Sequence, residues 1–98
     1  MKVIGKFKIN DSFRITGRGL VVIGDLIEGR VKIGSVVTFN TGSENATLKV
    51  SGVEMGDNRS TGEYFVGLTF VYNDEIERRK YESLKLKEQI IEVMAEEI

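Results

Sequence analysis

The sequence contains no cysteine, no histidine and no proline. Without cysteine, the chain forms no disulfide, no thiolate nucleophile and no cysteine metal site. Without histidine, it lacks the commonest general base and the commonest metal ligand, so we predict that the chain is not an enzyme and uses no cofactor or metal. Without proline, the edges of any sheet must be protected by charges and bulges instead.

A long apolar run is also missing. The first ten residues, MKVIGKFKIN, are too polar for a signal peptide or a membrane span, so we expect a soluble, cytoplasmic protein with no membrane partner. The length of 98 residues suits one domain. With 41% hydrophobic and 30% charged residues, the chain has the composition of a globular protein rather than a disordered one.

The net charge of −1 gives no overall attraction to nucleic acid, but the charges are unevenly placed. Residues 1–33 carry seven basic and three acidic side chains, whereas residues 34–75 carry two basic and six acidic ones. The basic N-terminal third is suited to phosphate contacts. A solvated surface of mixed charge is the alternative interpretation.

Valine, isoleucine and aromatic residues cluster in short segments that are typical of β-strands. The segments are KVIGKFKI, FRIT, LVVIGDLI, SVVTFN, ATLKVSGVEM and EYFVGLTFV. Turn residues separate them, including IND before Phe13, GRG before Leu20 and GDNRSTG at 56–62. Short strands with frequent turns predict an all-β fold, a small closed antiparallel β-barrel of six or seven strands.

The C-terminal third is more charged and contains good helix formers. Leu84 and Leu86 share a face, so residues 81–87 are predicted to form a last strand. Four apolar side chains then recur at helical spacing, namely Ile90, Ile91, Met94 and Ile98. A helix is one interpretation of this spacing, and a strand that continues through Val93 is the other.

These patterns divide the chain at residue 88. Residues 1–88 are predicted to form the barrel, and residues 89–98 a C-terminal strand or helix extension of the same domain.

Five glycines interrupt the stretch FRITGRGLVVIGDLIEGRVKIG. A phosphate-binding loop needs lysine and a hydroxyl residue after its last glycine, but Asp25 and Leu26 follow Gly24. The dinucleotide-binding pattern fails as well, because Val22 stands where its third glycine is required. We therefore interpret the glycines as the turns, bulges and bends of a barrel.

The same stretch resembles the opening of the second domain of translational GTPases such as elongation factor Tu. That family has the pattern F-x-I-x-G-R-G-x-V-x-x-G, which this chain matches from Phe13 to Gly24. Downstream, the segments SGVEM, TGEYFVGL and DEIERRK resemble later parts of that domain. The resemblance covers residues 6–79. It implies a barrel without the preceding GTP-binding domain, and hence a free-standing module that cannot hydrolyse GTP.

In that family the domain holds the aminoacylated 3′ end of tRNA, with the terminal adenosine on a small apolar surface beside a glutamate. The resemblance places this surface on Ile15, Gly17, Val21 and Glu54. Apolar side chains suit a base, and a carboxylate suits a ribose hydroxyl. The alternative is that Ile15 and Val21 are core residues and that Glu54 is an ordinary exposed strand residue.

Basic residues of the N-terminal third are the candidates for phosphate contacts. They are Arg14, Arg18, Arg30 and Lys32. The loop after the SGVEM segment, which contributes an arginine in the family, offers only Arg59 here. Thr69 stands where the family's pocket has a leucine.

We therefore predict a non-enzymatic binding module that contacts RNA, in particular a tRNA-like end, or a protein of the translation machinery. The alternative is a protein-interaction or self-association module. In that case the barrel is a scaffold, and the apolar residues at 90–98 dock a partner or a second copy to form a homodimer.

Overall fold

A computed structural model describes residues 1–58, 60–82, 84–86 and 88–96 of the chain. In these residues six antiparallel strands form a closed, barrel-like ring with one short helix beside it. The elements are β1 (Lys2–Ile15), β2 (Gly19–Gly29), β3 (Val36–Asn40), β4 (Asn45–Asn58), β5 (Glu63–Val71), α1 (Glu75–Glu82) and β6 (Gln89–Ala95). The predicted all-β fold is confirmed. The helix is much too short and too polar to cross a membrane, and the described residues contain no other candidate.

Around the ring the strand order is β1-β2-β5-β4-β3-β6, and β6 closes it by pairing with both β1 and β3. Lys2 lies opposite Ala95, and Val37 lies opposite Val93. Of the two interpretations of the C-terminal spacing, the strand is therefore right for Gln89–Ala95 and the helix is wrong. The boundary expected at residue 88 falls inside the barrel.

Strand β1 runs straight through the residues IND, which were predicted to form a turn. Ile9 lies opposite Gly24 and Asp11 lies opposite Ile23, so Asn10 is an extra residue in a bulge. The bulge bends β1 while keeping its pairing with β2, because one added residue kinks a strand without ending it. The two predicted segments KVIGKFKI and FRIT are therefore one strand.

The core fills the ring with the inward side chains of all six strands. Phe7, Phe39, Val37 and Val50 are at most 1% exposed. The rings of Phe39 and Phe70 are tilted against each other with centroids 6.1 Å apart, a common arrangement for buried aromatic pairs. Apolar burial of this kind is the main stabilising term of such a small domain.

Helix α1 occupies part of the segment that was predicted to be a strand at 81–87, so that prediction is wrong for Tyr81 and Glu82. Local contacts explain the helix. The carboxylate of Asp74 accepts a hydrogen bond from the N–H of Glu77 at 2.8 Å, which caps the first turn. Arg78 then forms ion pairs with Glu75 at 2.8 Å and with Glu82 at 3.0 Å, at helical spacing.

Candidate nucleic-acid interface

The turn between β1 and β2 presents Arg18 to solvent. Gly17 and Gly19 have φ values of 83° and 90°, a left-handed backbone that favours glycine. The N–H of Arg18 donates to the carbonyl of Ile15 at 2.9 Å and closes the turn. The turn predicted at GRG is therefore present, with the arginine at its apex.

The register brings side chains of four strands together on the outer face of the ring. Ile23 of β2 lies opposite Gly67 of β5, and Gly67 lies opposite Glu54 of β4. On the neighbouring pair of strands, Phe13 of β1 lies opposite Val21 of β2. Directly opposed residues in antiparallel strands share one face of the sheet, so these side chains surround the position of Gly67.

A hollow of about 70 Å³ lies at this place. It is lined by Phe13, Ile15, Arg18, Val21, Ile23, Glu54, Phe65, Gly67 and Thr69. Gly67 leaves the floor open, because a Cβ there would have no neighbour nearer than the carbonyl oxygen of Glu54 at 3.8 Å. Val21 lines the hollow and is only 6% exposed, although it is not part of the core cluster.

Two phenylalanines flank the hollow and remain partly accessible, with Phe13 42% and Phe65 40% exposed. The ring of Phe65 lies over Gly56, its opposite residue on β4, where a Cβ would come within 2.4 Å of the ring. Phe13 is two residues from Ile15 on β1, and both line the hollow, as residues on one face of a strand do. Neither phenylalanine was among the predicted site residues, although alternation with Gly67 and Thr69 puts Phe65 on the face of the hollow.

An exposed ion pair forms the polar rim. The guanidinium of Arg18 lies 3.6 Å from the carboxylate of Glu54, and both side chains are more than half exposed. Such a pair contributes little to stability, because water solvates both charges. The two groups are therefore available for exchange with a ligand that carries a phosphate and hydroxyls.

The structure brings four of the predicted site residues into one hollow, namely Ile15, Arg18, Val21 and Glu54. Ile15 is only half-buried, whereas Val21 is 6% exposed and counts among the buried hydrophobic residues, so the interpretation as a core residue still fits Val21. Gly17 lies at the turn beside the hollow and, with Arg14, borders a second open cleft of about 490 Å³ next to α1.

Two further predicted residues, Arg30 and Lys32, are not in the hollow. Arg30 and Lys32 follow the other end of β2, about 30 Å away along an extended strand that starts near Arg18. Arg59 lies outside the described residues.

The apolar stripe predicted at the C-terminus is not a single surface. Ile91 is 5% exposed and belongs to the core cluster, because side chains of a strand alternate between its two faces. Ile90 is 64% exposed on the outside, and Met94 lies opposite Val3 and Val36. Ile98 lies outside the described residues. Ile91 is therefore a core residue and not a docking residue.

No protein-family model matches this chain, and no solved structure matches it significantly. The geometry and chemistry of the outer hollow are therefore the observations that bear most directly on function.

Proposed function

We propose that this chain is a non-enzymatic RNA-binding module related to the second domain of translational GTPases, and that its outer hollow receives an unpaired terminal nucleoside. One observation carries the proposal. Side chains that are far apart in the sequence converge around Gly67 and combine an apolar floor, two accessible aromatic rings, a carboxylate and a guanidinium.

Each group in the hollow has a counterpart on a nucleoside. A base packs on Val21 between Phe13 and Phe65, and stacking on aromatic side chains contributes roughly 1–3 kcal/mol per base. The carboxylate of Glu54 accepts hydrogen bonds from the ribose hydroxyls, which distinguish RNA from DNA. A hollow of about 70 Å³ takes one face of a base rather than a whole nucleotide, so the base must be unstacked and accessible.

The phosphates that precede the terminal nucleoside in the chain need cations along their path. Arg18 stands at the rim, and Arg14 and Arg79 border the adjoining cleft beside α1. Contacts of this kind hold the chain of phosphates in position without reading its sequence. We therefore expect binding that depends on salt and on a free single-stranded end, with weak preference for sequence.

The test uses fluorescence anisotropy with a 5′-labelled, eight-nucleotide single-stranded RNA that ends in CCA. The first comparison is with the same RNA carrying a 2′,3′-dideoxy end, which we expect to bind about tenfold more weakly. The second comparison is with a fully paired RNA duplex, which offers no free base. Equal affinity for all three probes would contradict a nucleoside site and leave only general attraction to phosphate.

Two variants separate the charge of the site from its shape. Arg18→Glu is expected to weaken binding of the RNA and to reduce its salt dependence by about one counterion. Lys49→Glu, which makes the same charge change on an exposed position of β4 away from the hollow, is the matched control. Gly67→Val fills the hollow at unchanged charge and is expected to lose the preference for a free 2′,3′ end.

Self-association is the second candidate, and a different row of residues now favours it. Val3, Met94 and Val36 lie directly opposite one another on β1, β6 and β3. The exposed Ile90 lies on the same face of β6, four residues before Met94. If this outer row joins two copies, sedimentation of the protein without RNA shows a dimer that Met94→Lys dissociates. A monomer at all concentrations would rule this candidate out.

A further inference from the structure

The ring opens into a cleft where β2 and β5 separate. Their ladder in the described residues consists of Val22, Ile23 and Gly24 with Leu68, Gly67 and Val66. Beyond Gly24, β2 continues to Gly29 while pairing with β1, and before Val66, β5 begins at Glu63 while pairing with β4. The cleft between the two strands has a volume of about 670 Å³.

Both sides of this cleft present the edge of a strand. Residues 25–29 of β2 and 63–65 of β5 have a partner strand on one side only, as far as the described residues extend. Alternate N–H and C=O groups of such an edge point away from the existing partner and can pair with an added strand. On the β2 side, Ile27 is an extra residue between the pairs Phe7–Leu26 and Lys6–Glu28, and this bulge disturbs its edge. The regular edge of β5 is therefore the better template.

Most of the charged side chains that the structure describes around the cleft are acidic. Three carboxylates line it, those of Asp11, Asp25 and Glu63, against one ammonium group, that of Lys8. Asn10 donates a hydrogen bond to the carboxylate of Asp25 at 2.9 Å and fixes its position. This charge repels the phosphates of RNA and attracts a cationic partner.

Aromatic groups complete the cleft. Tyr64 is 80% exposed and lines the cleft next to Phe65. The exposed tyrosine ring can pack against the aliphatic stem of a lysine or arginine side chain, and the carboxylates can pair with its positive charge. The apolar Phe65 and Ile23 suit an alternating apolar residue of the same partner.

We propose that the cleft binds an extended basic peptide, which adds a strand to the edge of β5 and places lysine or arginine side chains beside Asp25 and Glu63. Main-chain hydrogen bonds to β5 supply part of the affinity, and the acidic cleft supplies the selection for positive charge. The cleft adjoins the hollow for a nucleoside and shares Ile23 and Phe65 with it, but it differs in charge and in ligand. The peptide proposal does not depend on the function proposed above.

The first experiment measures the binding of three fluorescein-labelled heptapeptides by anisotropy. The probes are Lys-Val-Lys-Val-Lys-Val-Lys, the same peptide with every second amide N-methylated, and Glu-Val-Glu-Val-Glu-Val-Glu. We expect the first peptide to bind at least tenfold more tightly than each of the others. If the N-methylated peptide binds equally well, strand addition is wrong, because that peptide keeps the charge but loses the donors. Equal binding of the acidic peptide refutes the selection for charge.

The second experiment locates the site. Asp25→Lys combined with Glu63→Lys is expected to reduce binding of the basic peptide at least tenfold. Glu92→Lys combined with Glu96→Lys changes the net charge equally on exposed positions of β6 and its end, away from the cleft, and is expected to have no effect. Equal loss in both variants would overturn the assignment.

Hydrogen exchange on the unchanged protein keeps the proposal testable if a variant does not fold. The basic peptide is expected to slow amide exchange at residues 63–65 and not at residues 36–40 of β3. No change at residues 63–65 upon saturation with the peptide would refute the proposal.

Discussion

Two glycines on neighbouring strands are expected to respond in opposite ways to the same substitution. Gly24 of β2 lies opposite Ile9 of β1 and Val66 of β5, and Gly67 lies one register position away on β5. A Cβ at Gly24 would lie 1.7 Å from the carbonyl oxygen of Lys8, whereas a Cβ at Gly67 has nothing nearer than 3.8 Å. Alanine therefore fits at one site and collides with backbone at the other.

The magnitudes follow from these distances. Overpacking that forces the backbone to move typically costs about 1–3 kcal/mol, and a collision with a carbonyl oxygen inside a ladder lies at the upper end, about 3 kcal/mol for Gly24→Ala. For a domain of this size that loss lowers Tm by about 12–24 °C. Gly67→Ala removes conformational freedom only from the unfolded chain, so its expected effect lies between zero and a gain of about 1 kcal/mol.

The assay is urea unfolding followed by far-ultraviolet circular dichroism, with both variants compared with the unaltered protein in one buffer. The slope of the unfolding free energy against urea must stay the same, so that a shifted midpoint reports stability alone. The reasoning fails if the unfolding free energy of Gly24→Ala lies within about 0.5 kcal/mol of the parent's, because changes of that size are typical of ordinary surface substitutions. It also fails if both alanines destabilise equally.

Three more predictions concern other parts of the fold. Ile91→Asp places a carboxylate in the core and is expected to lower the unfolding free energy by about 3 kcal/mol or more. Ile90→Asp at the neighbouring exposed position is expected to have little effect, and the Tm values of the two variants test the difference. Ser12→Ala leaves the N–H of Leu86 without its acceptor at 2.9 Å, and a loss of about 1–2 kcal/mol is expected with faster amide exchange at Leu86. Burial raises the pKa of the Tyr72 phenol above its ordinary value of 10. The unfolded chain therefore loses this proton first, so the contribution of Tyr72 to the unfolding free energy is fully present below pH 10 and is lost as the pH rises further. Tyr72→Phe is expected to make the urea midpoint less dependent on pH between about pH 9 and 11.

The fold class could be predicted from the sequence because local signals agree with one another. Glycines at the first turn and the β-branched run of β2 both favour antiparallel strands joined by tight turns, and the structure contains both features. Helix α1 was missed although its signal is local. Asp74 and Glu77 have the spacing of a capping box, and the carboxylate of Glu77 also accepts from the N–H of Asn73 at 3.3 Å.

The C-terminal strand was harder, since its pattern is ambiguous. Ile90, Ile91 and Met94 fit both a helical and an extended period over so few residues. The tertiary structure determines which of the two forms, because only an extended segment can pair with both β1 and β3. Short apolar segments take the structure of the site that receives them, and this site exists only after the other five strands have assembled.

The candidate hollow was predicted in part, and the part that failed has a geometric cause. The resemblance to a known domain identified Ile15, Val21 and Glu54, which the register places around one point. Counting basic residues grouped Arg14 and Arg18 with Lys32, but charge counts ignore the direction of the chain. Strand β2 carries the chain away from the hollow before Lys32 is reached.

The way in which β6 closes the ring has a consequence for folding. Its partners β1 and β3 both precede it in the sequence, and its pairs with β1 join residues from opposite ends of the described chain. Such distant contacts predict slow folding, in the range of milliseconds to seconds, with ring closure among the last steps. Until then β1 and β3 display adjacent vacant edges, and the closing strand of a neighbouring molecule fits them as well as their own. Concentrated refolding is therefore expected to yield strand-exchanged dimers that dilute refolding avoids.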